Sequence, residues 1–221
     1  MRNSLKTLLF SLIVVFYSCD NDPLTTPATI TTDAVSNITF TTVDCGGMIT
    51  SNGGTAITNR GLVWSTNPNP TINDNIVVAS TNTFGTTITG LENNTTYYVR
   101  AVAVNSDGES YGNEEVFTTW KLDNTKWEFR LNYGSSNSNY PGDVDFFDNG
   151  TTQWEEPDYP GLYTTYGTWS VDADTVTYYM AGDPTAVSYV FTGTVVNGDT
   201  MSGTFTWGSD PDKTFTATKY P

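Results

Sequence analysis

The segment "TKWEFRLNYG", residues 125–134, decides how the second half of the chain is read. Trp127, Phe129, Leu131 and Tyr133 share one side of an extended strand, and Glu128, Arg130 and Asn132 share the other. That period of two is what a half-buried strand requires. The pattern recurs downstream and predicts strands near Val144–Phe147, Thr151–Glu155, Thr165–Val171, Thr175–Met180, Ser188–Val196, Thr200–Trp207 and Thr214–Tyr220. Asp148-Asn149-Gly150 and Asn197-Gly198-Asp199 read as hairpin turns, since Asn and Gly tolerate positive φ, and Asp172-Ala173-Asp174 is a weaker one. Eight short strands, no helix and tight turns predict an antiparallel up-and-down β-barrel over 125–221, closed so that no sheet edge is left exposed.

"GTWSVDADTVTYY" (167–179) followed by "YVFTGTVVNGDTMSGTFTW" (189–207) resembles the small lipocalin-like barrels of bacterial lipoproteins. An eight-stranded barrel is just wide enough to be filled by its own side chains or to hold one small ligand. The candidates for its inward face are Trp127, Phe129, Trp169, Tyr178, Phe191, Phe205 and Trp207. These rings are either core or the walls of a cavity for an apolar small molecule or a glycan, and the pattern leaves both readings open.

Upstream, residues 27–119 show short alternating runs broken by turn residues, at the spacing of a β-sandwich. Strands are expected at Ala28–Thr32, Asp44–Ser51, Asn59–Ser65, Asn75–Ala79, Thr83–Leu91, Thr95–Val104 and Gly112–Thr119. "GLENNTTYYVRAVAVNSDGESYGNEEVFTT" (90–119) resembles the last two strands of a fibronectin type III domain, and "CGGMITSNGGTAITNRGLVWSTNPNPT" (45–71) resembles the upstream half of its bacterial variants. The resemblance places Tyr97 at a tyrosine corner, its ring packed inward and its hydroxyl tying down the preceding connection. Residues 120–124 are then the linker between the units. Such a sandwich is commonly a spacer, and the fold by itself licenses no activity.

At the start, Arg2 and Lys6 precede an apolar block from Leu8 to Tyr17, followed by Ser18 and Cys19. The block is too short to span a bilayer and fits an export signal. "FYSC" (16–19) resembles the lipobox of bacterial lipoprotein precursors, with Tyr17 and Phe16 departing from that family's usual small residue and Leu. The resemblance implies a signal peptide over 1–18, lipid attachment at Cys19 and anchoring at the outer membrane or cell surface, with residues 19–26 as tether. The resemblance also implies that Asp20 and Asp22, just behind the cysteine, favour the outward face, as acids do in some lipoproteins of that family.

Composition narrows the chemistry. The 221 residues carry a net charge of −15; without Arg2 and Lys6, the part from Cys19 onward has 7 basic and 24 acidic residues, net −17. Such a chain repels phosphate backbones, so no nucleic-acid partner is expected. The sequence contains no His, which removes the commonest general base and metal ligand. Cys45, the only other cysteine, is read as a lone, buried thiol. Of the acids, Asp143 and Asp145 share one side of a strand, while adjacent Glu155 and Glu156 point to opposite faces and cannot flank one glycosidic bond. Counting from Asp143, the EF-hand calcium pattern fails at its fifth, sixth and twelfth positions. No catalytic residue, metal or cofactor is therefore assigned, and the expected function is ligand binding by an anchored barrel. The alternative is a structural or adhesion lipoprotein with filled domains that contacts other proteins.

Overall fold

A computed structural model describes residues 24–134, 138–158, 160–162, 164–180, 189–207 and 213–221, with the side chains of Ser138 and Trp207 falling outside that description. The export segment and Cys19 lie outside the described residues. The described chain is all β. Its first half comprises β1 (Thr29–Thr32), β2 (Val43–Ser51), β3 (Asn59–Ser65), β4 (Asn75–Val78), β5 (Thr83–Ile88), β6 (Thr96–Asn105), β7 (Gly108–Tyr111) and β8 (Glu115–Thr118). One sheet has the order β1-β2-β5; the other runs β4-β3-β6-β7, with β8 also on β6. The sheets bury a common core in which Val43, Ile88, Leu62, Val99 and Ala101 meet.

The strand expected at 112–119 is confined to β8, and a short strand outside that expectation, β7, precedes it at 108–111. Val102 pairs with Tyr111 and Val99 with Glu115, so three steps along β6 face four along its partner. The extra residue is a bulge at 112–114. Its cause is crowding by β1: a side chain at Gly112 would collide with the backbone of Thr31 and Thr32, and Asn113 Oδ1 accepts the Thr32 N–H at 3.0 Å. Tyr97 is buried against Phe117, with ring centroids 5.8 Å apart, and its hydroxyl accepts the Glu92 N–H at 3.1 Å. Cys45 is free and buried on β2, its thiol 3.6 Å from Asp33 O, and burial pushes its pKa up to about 11.

The second half comprises β9 (Thr125–Asn132), β10 (Ser138–Phe146), β11 (Thr151–Glu155), β12 (Thr165–Asp172), β13 (Thr175–Met180), β14 (Tyr189–Val196), β15 (Thr200–Trp207) and β16 (Lys213–Lys219). Each pairs antiparallel with the next, and β16 returns to β9 to close the barrel. The expected eight antiparallel strands are present. β10 begins earlier than expected, ahead of Pro141 and Gly142, residues that weaken a strand reading. Pro141 is accommodated because β10 pairs with β11 only from Asp143 onward, so at Pro141 it has one neighbour, β9.

The two halves are joined by more than a linker. Thr39 Oγ1 accepts the N–H groups of Thr41 and Thr42 at 3.2 and 2.9 Å, bending the β1–β2 connection into a tight loop with Phe40 at its tip. Phe40 is fully buried in the barrel's own core cluster, together with Leu122 from the connecting segment. Its N–H donates to Ala173 O at 3.2 Å, Ala173 N–H donates to Thr41 Oγ1 at 3.1 Å, and Trp120 N–H donates to Thr39 O at 2.9 Å. The Phe40 and Trp120 rings meet edge to face at 5.5 Å. One end of the barrel is thus sealed by a side chain from the neighbouring unit.

Candidate functional site

Inward positions of the barrel follow the alternation. Trp127, Phe129, Tyr178, Phe191 and Phe205, five of the seven sequence candidates, are at most 1% exposed. They pack ring on ring: Phe191 lies 5.1 Å from Phe205, 5.2 Å from Tyr178 and 5.9 Å from Phe129, centroid to centroid. Trp127 Nε1 donates to Thr125 Oγ1 at 2.9 Å. These five fill the middle and the sealed end, where they contribute packing and the edge-to-face and stacked geometry aromatic rings prefer. Trp169 is half-buried beside Phe146, and its Nε1 donates to Phe147 O at 3.1 Å. The Trp207 side chain lies outside the described residues.

Among the described residues, space remains at the opposite end. A recess of about 300 Å³ opens there, walled by Tyr133, Tyr140, Trp154 and Tyr189, with Leu131 and Met180 below and Glu156 and Thr165 beside them. Its shape has local causes. Gly142 carries no side chain where the Trp154 indole lies; a methyl group there would overlap the ring. Trp154 then spans from β11 across β10 and stacks on Phe191 at 6.1 Å, forming the boundary between filled core and open recess. Tyr133 leans edge to face on Phe205 at 5.3 Å, and its phenol hydrogen-bonds Tyr189. Burial pushes the Tyr133 phenol well above its ordinary range, and Tyr189, Tyr140 and Glu156 add to the rise. An anionic phenolate at this position is therefore disfavoured, first by burial and then by Glu156 nearby.

Sequence reasoning placed Tyr133 inward without assigning it a role, and it singled out none of Tyr140, Trp154, Glu156 or Tyr189 as ligand contacts. The available signal was position: the recess is lined by the last inward residues of each strand, those nearest the longer connections.

The acids do not converge. Asp143 and Asp145 point outward, with Lys126 Nζ 3.2 Å from Asp143 Oδ2 and 4.0 Å from Asp145 Oδ2, and Tyr220 donates to Asp143 Oδ1 at 3.0 Å. Burial lowers the Lys126 pKa, but the hydrogen bond and charge of Asp143, with Asp145 and Glu155, outweigh it and leave a net rise. Burial raises Asp145, partly opposed by Lys126. Glu155 faces outward and accepts Gln153 Nε2 at 2.7 Å, whereas its neighbour Glu156 lines the recess. Among the described residues no group of three or more Cys, Asp or Glu side chains could hold a metal ion.

No protein-family model matches the chain, and no curated protein sequence matches it. The functional reading therefore stands on the recess itself.

Proposed function

We propose that this chain is a lipid-anchored lipoprotein of the outer membrane or cell surface, attached through Cys19, whose open-ended barrel captures one small molecule. On this reading the first unit is a fibronectin type III-like sandwich and the second a lipocalin-like barrel, and the chain binds rather than catalyses. The single observation that carries the proposal is the recess of about 300 Å³ at one barrel end, with rings on its walls, while the other end is sealed. That volume lies at the lower limit for small-molecule sites, so one ring or one compact headgroup would fill it.

The alternative reading, a structural or adhesion protein, draws on the solid middle of the barrel and on Tyr166 and Tyr179, which stand exposed on its outer face. Native mass spectrometry of the protein beginning after Cys19, purified from its own cells, separates the two. A retained small molecule that is lost when Trp154 is replaced by Ala supports capture; a consistently empty barrel that recovers a protein partner supports adhesion. For the anchor, labelled palmitate should enter the intact chain and not a Cys19→Ala variant. A mature wild-type protein with residue 19 unmodified would end the membrane assignment.

A further inference from the structure

We propose that the ligand of the open barrel end is an organic cation, a quaternary ammonium or protonated amine, held among the rings of Tyr133, Tyr140, Trp154 and Tyr189 with Glu156 as counter-charge. The inference rests on the reading of this recess as a ligand site and adds the chemistry of what enters it.

Three observations converge. First, the rings come from four different strands or their ends: Tyr133 after β9, Tyr140 on β10, Trp154 on β11 and Tyr189 on β14. A compact cation placed between them has several rings within reach at once, and the face of each ring carries the negative side of its quadrupole. A flat sugar ring needs one platform, not a ring of walls.

Second, Glu156 is the only charged side chain among the described lining residues, and none of the described Lys or Arg side chains forms an ion pair with it. Lys213, opposite Phe205 in the β15–β16 register, already has an interaction of its own. An apolar guest would strip water from the Glu156 carboxylate without replacing its partner, which is costly, and an anion would be repelled by it. A cation supplies the missing charge.

Third, the Tyr133 phenol is kept protonated chiefly by burial, with Glu156 adding to the rise, so the recess is poorly hydrated and its nearby carboxylate biases it toward positive guests. The net charge of −15 extends that preference beyond the recess and raises the local concentration of cations.

The test uses the chain from residue 20 onward and three probes titrated by calorimetry and Trp fluorescence: choline, its neutral isostere 3,3-dimethylbutan-1-ol, and methyl glucoside. Choline should bind saturably. The isostere should bind about tenfold more weakly or worse, the loss expected for removing a desolvated cation–π contact. Glu156→Gln should weaken choline by a similar factor and leave the isostere unchanged. Equal affinity for choline and its isostere, or a Glu156→Gln variant that binds choline as well as wild type, overturns the cation assignment. Binding of methyl glucoside in preference to both also overturns it while leaving the recess a ligand site. No binding by any probe, together with an empty native protein, removes both readings.

Discussion

The two ends of the barrel are built by the same eight strands and yet differ in chemistry. Along β9 the inward residues run Trp127, Phe129, Leu131, then Tyr133 at the open end; along β10 they run backwards from Phe146 and Val144 through Gly142 to Tyr140; along β14 Phe191 gives way to Tyr189. At the sealed end Phe40 and Leu122 are fully buried together with Trp127, Phe129 and Phe146, so the layer beneath them is core. At the open end nothing among the described residues covers the last layer, and that layer carries phenol hydroxyls and a carboxylate. The contrast shows that alternation decides which residues point inward. What lies beyond the final inward residue decides whether that layer becomes core or site.

The most severe test of this contrast is Phe40→Ala. The side chain is fully buried, so its removal leaves a void at the sealed end and should cost about 3–5 kcal/mol, the usual range for Phe to Ala in a core. The effect should appear in the barrel although residue 40 belongs to the other unit. In urea unfolding of the full chain, the drop should be visible in Trp fluorescence and as lost amide protection at Trp127 and Val195. A loss below about 1 kcal/mol, within the ordinary range for a surface position, would mean that Phe40 does not seal the barrel.

This plug was not legible in the sequence, and the reason is physical. Phe40 lies in a connection outside every strand, and its partners are distant in the chain: Thr41 meets Ala173 across 132 positions. Period-two reasoning reports only local geometry, so it found the two faces of β9, the inward Tyr178 and the eight barrel strands without saying what abuts them. Leu122 was hidden for the same reason. It reads as linker by position and is fully buried in the structure. The bulge that separates β7 from β8 was equally out of reach, because it is imposed by β1 pressing on Gly112 from about eighty residues away. The contact of the Tyr97 hydroxyl with Glu92 spans only five positions, which is the kind of contact that local spacing can carry. The recess was half legible: parity puts Tyr133 inward, but only closure brings it to Tyr140, Trp154 and Tyr189.

The middle of the barrel can be set against its open end through two phenols. Burial raises Tyr178, opposed by its neighbour Thr152, and burial followed by nearby phenols and Glu156 raises Tyr133. Above pH about 10 the unfolded chain loses these protons while the folded chain keeps them. The native state then binds more protons than the unfolded state, so stability falls as pH rises from there toward the folded values. Tyr178→Phe should reduce this alkaline loss more than Tyr133→Phe, since Tyr178 is 1% exposed and Tyr133 is only half-buried. At pH 7 Tyr178→Phe should change stability by less than about 1 kcal/mol. The Tyr178 and Thr152 hydroxyls face each other without a well-formed hydrogen bond, so little is given up with the phenol oxygen. Urea midpoints at pH 7 and 11 for the three proteins provide the check. A larger relief from Tyr133→Phe would place the drier environment at the open end and reverse the contrast.

The smallest effects belong to the recess itself. Glu156→Gln and Tyr140→Phe alter polar atoms at a solvent-facing rim and remove no buried carbon, so each should leave stability within about 0.5 kcal/mol of wild type. Residues kept for packing would behave differently: their loss is felt in folding, whether or not any ligand is present. A site instead separates the two readouts, because its polar groups contribute to what is bound and little to what holds the strands together. Thermal melts of both variants, run beside the choline titrations, make that separation measurable. Unchanged melting with weakened binding assigns Glu156 to recognition. A fall of more than about 1 kcal/mol in either variant would instead make the open end a second, thinner core, and the two ends of the barrel would then differ in degree alone.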